Sequence, residues 1–86
     1  MKIIYSSKFA REYKKLSATI KDIAEKHESL FRKNPFDVRL KTHKLKGRLR
    51  GFLSFSIGHK YRIIFEFSKD KQTVYFHSAG DHDIYG

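Results

Sequence analysis

The sequence contains no cysteine, only one proline and no long run of apolar residues. Without cysteine the chain can form neither disulfides nor thiolate-bound zinc sites, and nothing favours an oxidising compartment. The apolar run near the N-terminus is only three residues long, too short for a signal-peptide core or a membrane span. These absences predict a cytoplasmic protein that makes no use of a membrane.

Acidic residues are also scarce, with 9 of them against 19 lysines and arginines, which gives a formal charge of +10 on 86 residues. Self-repulsion of this size favours binding to an anionic partner, either nucleic acid, acidic lipid or an acidic protein. The basic residues are spread along the chain, which predicts a folded basic face rather than a disordered tail. The short length and the lack of repeats or Gly/Ser linkers predict a single domain over 1–86.

The first half of the chain reads as one strand followed by helices. The stretch from Lys2 to Tyr5 predicts a short buried strand, and Ser6 or Ser7 can cap the helix that follows. Apolar residues then recur at helical spacing, but one helix over 7–33 would be about 40 Å long, more than the roughly 30 Å width of such a domain. We therefore predict a helical hairpin broken at Ser17 to Thr19, with the second helix ending at Asn34-Pro35.

The second half begins with "FDVRLKTHKLKGRLRG", which we interpret as a long basic connection. Alternation of apolar and polar residues then predicts strands over 52–57, 61–67 and 73–79, joined by short polar turns. The predicted fold class is therefore α+β, with an N-terminal strand, a two-helix hairpin and an antiparallel β-meander packed on the helices.

The turn between the first two strands of the meander decides which side chains share a face. A three-residue loop, Gly58-His59-Lys60, pairs Ile57 with Tyr61 and collects the apolar residues on one face against the helices. A two-residue loop would mix polar and apolar side chains, so the longer loop is the consistent choice. The opposite face then carries the polar residues Ser54, Ser56, Arg62 and Glu66, with His77 joining from the third strand.

Arg62 needs an explanation, because an arginine in an apolar strand must reach either solvent or an anion. Two interpretations remain open. Arg62 is either a solvated residue paired with Glu66, or a clamp for a phosphate group, whose oxygens suit the planar guanidinium fork.

Two histidines have surroundings that favour opposite protonation states. His43 lies among lysines and arginines, which favour a neutral ring that can accept a proton, whereas Asp81 and Asp83 favour the protonated form of His82. A base and an acid beside cations suffice to cleave RNA without a metal ion. The alternative for His43 is a solvated basic loop, and sequence spacing does not show whether the two histidines are close.

The other candidates are weaker. Tyr85 either stacks on an RNA base or docks the C-terminus on the core. We expect structural or solvated roles for His59 and His77, and a core hydrogen bond for His27. No metal-binding motif accompanies the histidines, so we expect no metal ion and no other cofactor.

Three motifs in order, "HKLKG", "G-x-K-Y-R-I-I-F" and the terminal "G-x-H-D-x-Y", resemble the RelE/ParE superfamily of toxins from type II toxin–antitoxin modules. Within that superfamily the chain is most similar to the YafQ and RelE/StbE-type mRNA interferases. The resemblance spans nearly the whole chain and implies a RelE-like fold. It also implies an endoribonuclease that cuts messenger RNA on the ribosome and is neutralised by an acidic antitoxin.

By the same resemblance, the catalytic residues are His43, Arg62, His82 and Tyr85, with Arg62 contacting the scissile phosphate. Basic residues around them are expected to bind RNA phosphates: Lys44, Lys46, Arg48, Arg50, His59 and Lys60. The chain departs from the YafQ-like pattern at two positions. Ser56 stands where those enzymes have a second-strand histidine, and Lys60 stands where they have an aspartate, although His59 can partly substitute.

Two other functions fit the same features. ParE-type members of the superfamily act on DNA gyrase, so the fold does not decide the activity. A basic RNA-binding module without catalysis is the third candidate. The pair of histidines favours the nuclease, because a gyrase inhibitor has no need of a proton acceptor and a proton donor.

Overall fold

The computed structural model describes residues 1–81, which form two helices and a five-stranded sheet. In chain order the elements are β1 (Lys2–Tyr5), α1 (Ser7–Lys14), α2 (Ala18–Lys33), β2 (His43–Lys44), β3 (Leu53–Ile57), β4 (Tyr61–Phe67) and β5 (Thr73–Asp81). Short 3₁₀ turns, Val38–Leu40 and Gly47–Leu49, flank β2. The α+β class and the predicted order of strand, helical hairpin and meander are confirmed.

Two serines start the helices as N-caps. The Ser6 hydroxyl accepts the backbone N–H of Phe9 at 2.9 Å, and the Ser17 hydroxyl accepts that of Ile20 at 3.2 Å. The hairpin break predicted at 17–19 is confirmed, although α2 already begins at Ala18. As predicted, α2 ends immediately before Asn34, whose backbone is extended ahead of proline.

The sheet has the strand order β1-β5-β4-β3-β2. β2 to β5 pair antiparallel along the sheet, while β1 adds to β5 in parallel, so the sheet is mixed. The predicted register of the meander is confirmed, because Ile57 pairs with Tyr61 and Ser56 with Arg62. Gly58 in the turn has φ +85°, a conformation that favours glycine.

The apolar face of the sheet packs on the helices, as predicted. Phe31 of α2 is fully buried and its ring lies 5.0, 4.9 and 5.5 Å from the rings of Phe55, Phe65 and Phe76. His27 adds a polar contact between α2 and β3, with Nδ1 lying 2.5 Å from the Ser56 carbonyl oxygen. This is the hydrogen bond that we predicted for His27.

The expectation that the first strand is buried is wrong. β1 is an edge strand and its residues are mostly exposed, with Ile4 39% and Tyr5 45% exposed, because only β5 pairs with it. The basic connection contains a short strand, β2, and both 3₁₀ turns, which the sequence analysis did not predict. Within the described residues, neither helix is both long and apolar enough to cross a lipid bilayer.

Candidate active site

The sheet surface turned away from the helices is here called the open face. Register partners in neighbouring strands project to the same side, so the pairing of β2 to β5 defines its members. The residues of the open face are His43, Ser54, Ser56, Arg62, Ile64, Glu66, Tyr75, Ser78 and Gly80. Four of them, Ser54, Ser56, Ile64 and Ser78, are nevertheless buried. The structure therefore assembles the polar face predicted from the turn length.

Arg62 lies in the middle of this face and is half-buried. Its Nη1 donates a hydrogen bond to the carbonyl oxygen of Tyr61 at 3.0 Å. Glu66, the partner of Arg62 in one of the two interpretations left open above, instead places Oε1 3.0 Å from His77 Nε2. No acidic side chain among residues 1–81 forms an ion pair with Arg62. Within that range, no carboxylate competes with an anionic ligand for its guanidinium.

His43 is exposed on β2, and its Nδ1 lies 3.2 Å from the carbonyl oxygen of Lys41. Because a carbonyl oxygen only accepts hydrogen bonds, this contact requires the proton on Nδ1. In the neutral ring, Nε2 is then unprotonated and able to accept a proton. The backbone of the basic segment thus selects the tautomer that a general base with an outward-facing Nε2 needs.

His43 and Arg62 lie on the same face of the sheet, two strands apart. His43 pairs with Ser54, and Ser54 pairs with Ile64, two residues from Arg62 on β4. Two strand spacings across and two residues along correspond to about 12 Å between the Cα atoms of His43 and Arg62. In this structure the Arg62 guanidinium contacts the Tyr61 carbonyl oxygen and the His43 ring contacts the Lys41 carbonyl oxygen, but both side chains are long enough to reach a phosphodiester bound between them.

The predicted phosphate-binding residues belong to two segments, the one after β2 and the turn between β3 and β4. Lys46, Arg48 and Arg50 are exposed in the segment after β2, and His59 and Lys60 are exposed in the turn that leads to Arg62. Lys44 is exposed too, but its register partner is Leu53. It therefore projects to the other side of β2 from His43.

His82 and Tyr85 lie outside the described residues. The last residue of β5, Asp81, pairs with Tyr61, and Gly80 pairs with Arg62. Since β3 and β4 separate β5 from β2, the backbones of β5 and β2 are about 14 Å apart. β5 thus ends beside Arg62, on the side away from His43.

Glu12, which was not singled out from the sequence, holds this end of β5. β1 stops pairing at Phe76, and the start of the next helix takes over the free edge of β5. Ser6 donates its hydroxyl to the His77 carbonyl oxygen at 2.9 Å, and Glu12 Oε1 accepts the N–H of Ala79 at 3.1 Å. These bonds fix the strand that leads to His82, and no sequence signal pointed to Glu12.

The Glu66–His77 pair was also missed, and here a signal exists. Val74 and Phe76 are two residues apart, but the next core residue, Ala79, comes three residues later. That change of spacing indicates an extra residue in the strand. The pairing of β4 with β5 does shift between Ile64 and Phe65, and His77 is left without a register partner on β4.

No protein-family model and no curated protein matches this chain. Solved structures do match it over nearly its whole length. A YoeB/ParE toxin from Agrobacterium tumefaciens is 20% identical with a TM-score of 0.80, covering 95% of this chain and 99% of that one. YafQ from E. coli strain BL21(DE3) is 18% identical with a TM-score of 0.75, covering 96% and 94%.

The toxin–antitoxin complex RelBE2 from Mycobacterium tuberculosis provides a third match, 18% identical with a TM-score of 0.74, covering 94% of this chain and 96% of that one. Identities this low establish the fold and not the activity. The resemblance to the RelE/ParE superfamily of toxins is therefore confirmed at the level of the fold.

Proposed function

We propose that this protein is the toxin of a type II toxin–antitoxin module and acts as an endoribonuclease on messenger RNA at the ribosome. The fold shared with YoeB, YafQ and RelE toxins supports the general role. One observation supports the nuclease activity above all others. His43 lies on the same face as Arg62, and the Nε2 of its neutral ring is able to accept a proton.

The proposed reaction is a transesterification within the RNA strand. His43 Nε2 takes the proton of a ribose 2′-hydroxyl, whose oxygen attacks the adjacent phosphorus atom. The guanidinium of Arg62 stabilises the negative charge that grows on the phosphate oxygens. His82, which we assign on sequence alone, gives a proton to the departing 5′-oxygen. The products are a 2′,3′-cyclic phosphate and a 5′-hydroxyl, and no metal ion is needed.

Tyr85 completes the proposed site as a surface on which an RNA base stacks. The exposed cations of the basic segment and of the turn before Arg62 hold the phosphates that flank the cut. Such contacts release counterions from the RNA, so binding weakens as salt is added.

An acidic antitoxin is the proposed protein partner. The charge of +10 favours an acidic chain, and one of the solved structures with this fold is a toxin–antitoxin complex. An antitoxin bound over the open face would block the access of RNA to the site.

The test is to add the protein to translating ribosomes and map new messenger RNA ends. We expect the wild-type protein to cleave messenger RNA. We expect His43→Gln and His82→Ala to lose cleavage but still to bind RNA. A matched control is His59→Gln in the turn, for which we expect weaker binding but continued cleavage. Intact messenger RNA combined with inhibited DNA supercoiling would favour the gyrase-directed function instead. RNA binding without either activity would favour a non-catalytic module.

A further inference from the structure

Lys41, in the segment that leads to β2, has a left-handed backbone conformation, with φ 53° and ψ 41°. Residues with a Cβ atom rarely adopt this region, which glycine and asparagine occupy most readily. Among residues 1–81, Lys71 is the only other non-glycine residue with a positive φ. A conformation that opposes the preference of the residue itself indicates a constraint from the surrounding structure.

The residues on either side of Lys41 impose this constraint. Leu40 ends a 3₁₀ turn and is fully buried, and the Thr42 hydroxyl donates a hydrogen bond to the Pro35 carbonyl oxygen at 2.6 Å. The backbone N–H of Lys41 also bonds to the Val38 carbonyl oxygen at 3.3 Å. The chain must therefore change direction at Lys41 to enter β2, and a single left-handed residue after a helical turn makes that change.

The left-handed conformation also determines where the Lys41 carbonyl group points. Its oxygen lies 3.2 Å from Nδ1 of His43. The nitrogen of a neutral histidine ring that carries the proton is set by a hydrogen bond of this kind. The direction of one backbone carbonyl group thus keeps the proton on Nδ1 and leaves Nε2 to accept another.

The side chain of Lys41 takes no part in this contact. It is exposed, and within residues 1–81 it forms no hydrogen bond or ion pair. Any effect of Lys41 on His43 therefore comes from its backbone. A substitution at this position changes only a surface charge and the tolerance for the left-handed conformation, and suitable variants separate these two effects.

We propose that Lys41 is a positioning residue, whose left-handed backbone aims its carbonyl oxygen at His43 Nδ1 and so presents Nε2 to the RNA. This inference rests on the proposed function. Lys41 acts only through His43 and does not touch the reacting atoms. Glycine and asparagine should replace lysine without loss, because both adopt the left-handed conformation readily. Valine should not, because its branched Cβ disfavours that conformation.

The first test needs no cleavage and reads the tautomer of His43 from the ¹⁵N chemical shifts of its neutral ring. We expect the wild-type ring to carry its proton on Nδ1, and Lys41→Gly and Lys41→Asn to keep it there. Lys41→Val should shift the ring towards the mixture of tautomers found in a solvated histidine. A wild-type ring protonated mainly on Nε2, or the same tautomer in all four proteins, would overturn the proposal.

The second test measures single-turnover cleavage of RNA by Lys41→Asn and Lys41→Val. Both variants lack the lysine charge, so the comparison isolates the backbone conformation. We expect Lys41→Val to be roughly tenfold slower than Lys41→Asn, the worth of about one neutral hydrogen bond. Equal rates would sink the positioning role while leaving the nuclease intact.

The matched control is Lys71→Val, in the turn between β4 and β5, where φ is 61°. It introduces the same backbone conflict at the end of β4 remote from Arg62. It should lower the unfolding temperature about as much as Lys41→Val, yet keep the wild-type tautomer of His43 and the wild-type rate. An equal loss of rate in both variants would assign the loss to general destabilisation and reject the positioning role. The expected tautomers in a protein that cuts no RNA would uphold the Lys41 contact and reject the proposed function.

Discussion

The two faces of the sheet are built by the same strands and differ in the chemistry of their side chains. On the helix side, Phe31 contacts Phe55, Phe65 and Phe76, and all four rings are fully buried. On the open face the strands carry serines, charged residues and His43. Because side chains alternate along a strand, one sequence can assign stability to one face and ligand binding to the other. Substitutions on the two faces should therefore have separate effects.

The largest effect on stability should come from the helix side. Phe31→Ala removes the ring at the centre of the aromatic cluster, and such a deletion costs about 3–5 kcal/mol of unfolding free energy. Urea unfolding followed by circular dichroism measures the loss. The control is Val38→Ala, at a position 87% exposed, where a change within about 0.5 kcal/mol is expected. A loss for Phe31→Ala no larger than that of the control would contradict the assignment of the core.

The next effect should appear in activity and not in stability. Arg62→Ala removes the proposed phosphate ligand and should slow cleavage by about 100-fold, roughly 3 kcal/mol of transition-state stabilisation. Arg62→Lys should recover only part of the rate, because lysine lacks the planar fork. Single-turnover cleavage assays compare both variants with Arg11→Ala, an exposed control on α1. Full activity in Arg62→Ala would leave Arg62 as a merely solvated strand residue.

A smaller loss of stability is expected from substitutions of Glu12, which accepts a hydrogen bond from β5. In Glu12→Ala the buried N–H of Ala79 loses its acceptor, which costs about 1–3 kcal/mol. Glu12→Gln keeps a side-chain oxygen and should recover most of this loss. Thermal unfolding of the two variants measures the difference. If alanine and glutamine destabilise the protein equally, the hydrogen bond does not hold the end of β5.

The smallest effect should be the pH response of a surface pair. Hydrogen bonds from the Arg39 side chain and backbone N–H lower the pKa of Asp37 from 3.8 to about 2. Because the unfolded chain binds this proton more readily, the stabilisation is present above about pH 4 and is lost as the pH falls towards 2. An NMR titration of the Asp37 carboxyl should show this midpoint, and Arg39→Ala should return it towards 3.8. A midpoint near 4 in the wild type would show that the pair does not form in solution.

Much of the fold was predictable because local rules and burial agreed. The caps Ser6 and Ser17 and the proline after Asn34 set the helix boundaries. The requirement for one apolar face fixed the turn at Gly58 and thereby put Arg62 on the open face. The exposed β1 was not predictable from its apolar residues, since its edge position depends on which strand it joins.

The candidate site was also predictable in part, because residue types and strand alternation are visible in the sequence. Residue types and motifs singled out His43 and Arg62, but not the contact of His43 with the Lys41 carbonyl oxygen, which depends on the path of the basic segment. The pairing of Glu66 with His77 instead of Arg62 follows from a shift in strand pairing. Interactions between distant residues, such as Glu12 with Ala79, leave no periodic trace in the sequence.

The most direct test of the central claim is an NMR footprint of RNA on the wild-type protein. A single-stranded oligonucleotide with 2′-deoxy sugars throughout cannot undergo the proposed reaction, because the attacking hydroxyl is absent, and it therefore stays uncut during the titration. We predict that the shifted signals cluster at His43, Arg62 and the turn at His59 and Lys60, and that the helix side stays unchanged. Shifts concentrated on α1 and α2, with His43 and Arg62 unaffected, would show that the open face is not where this protein meets RNA.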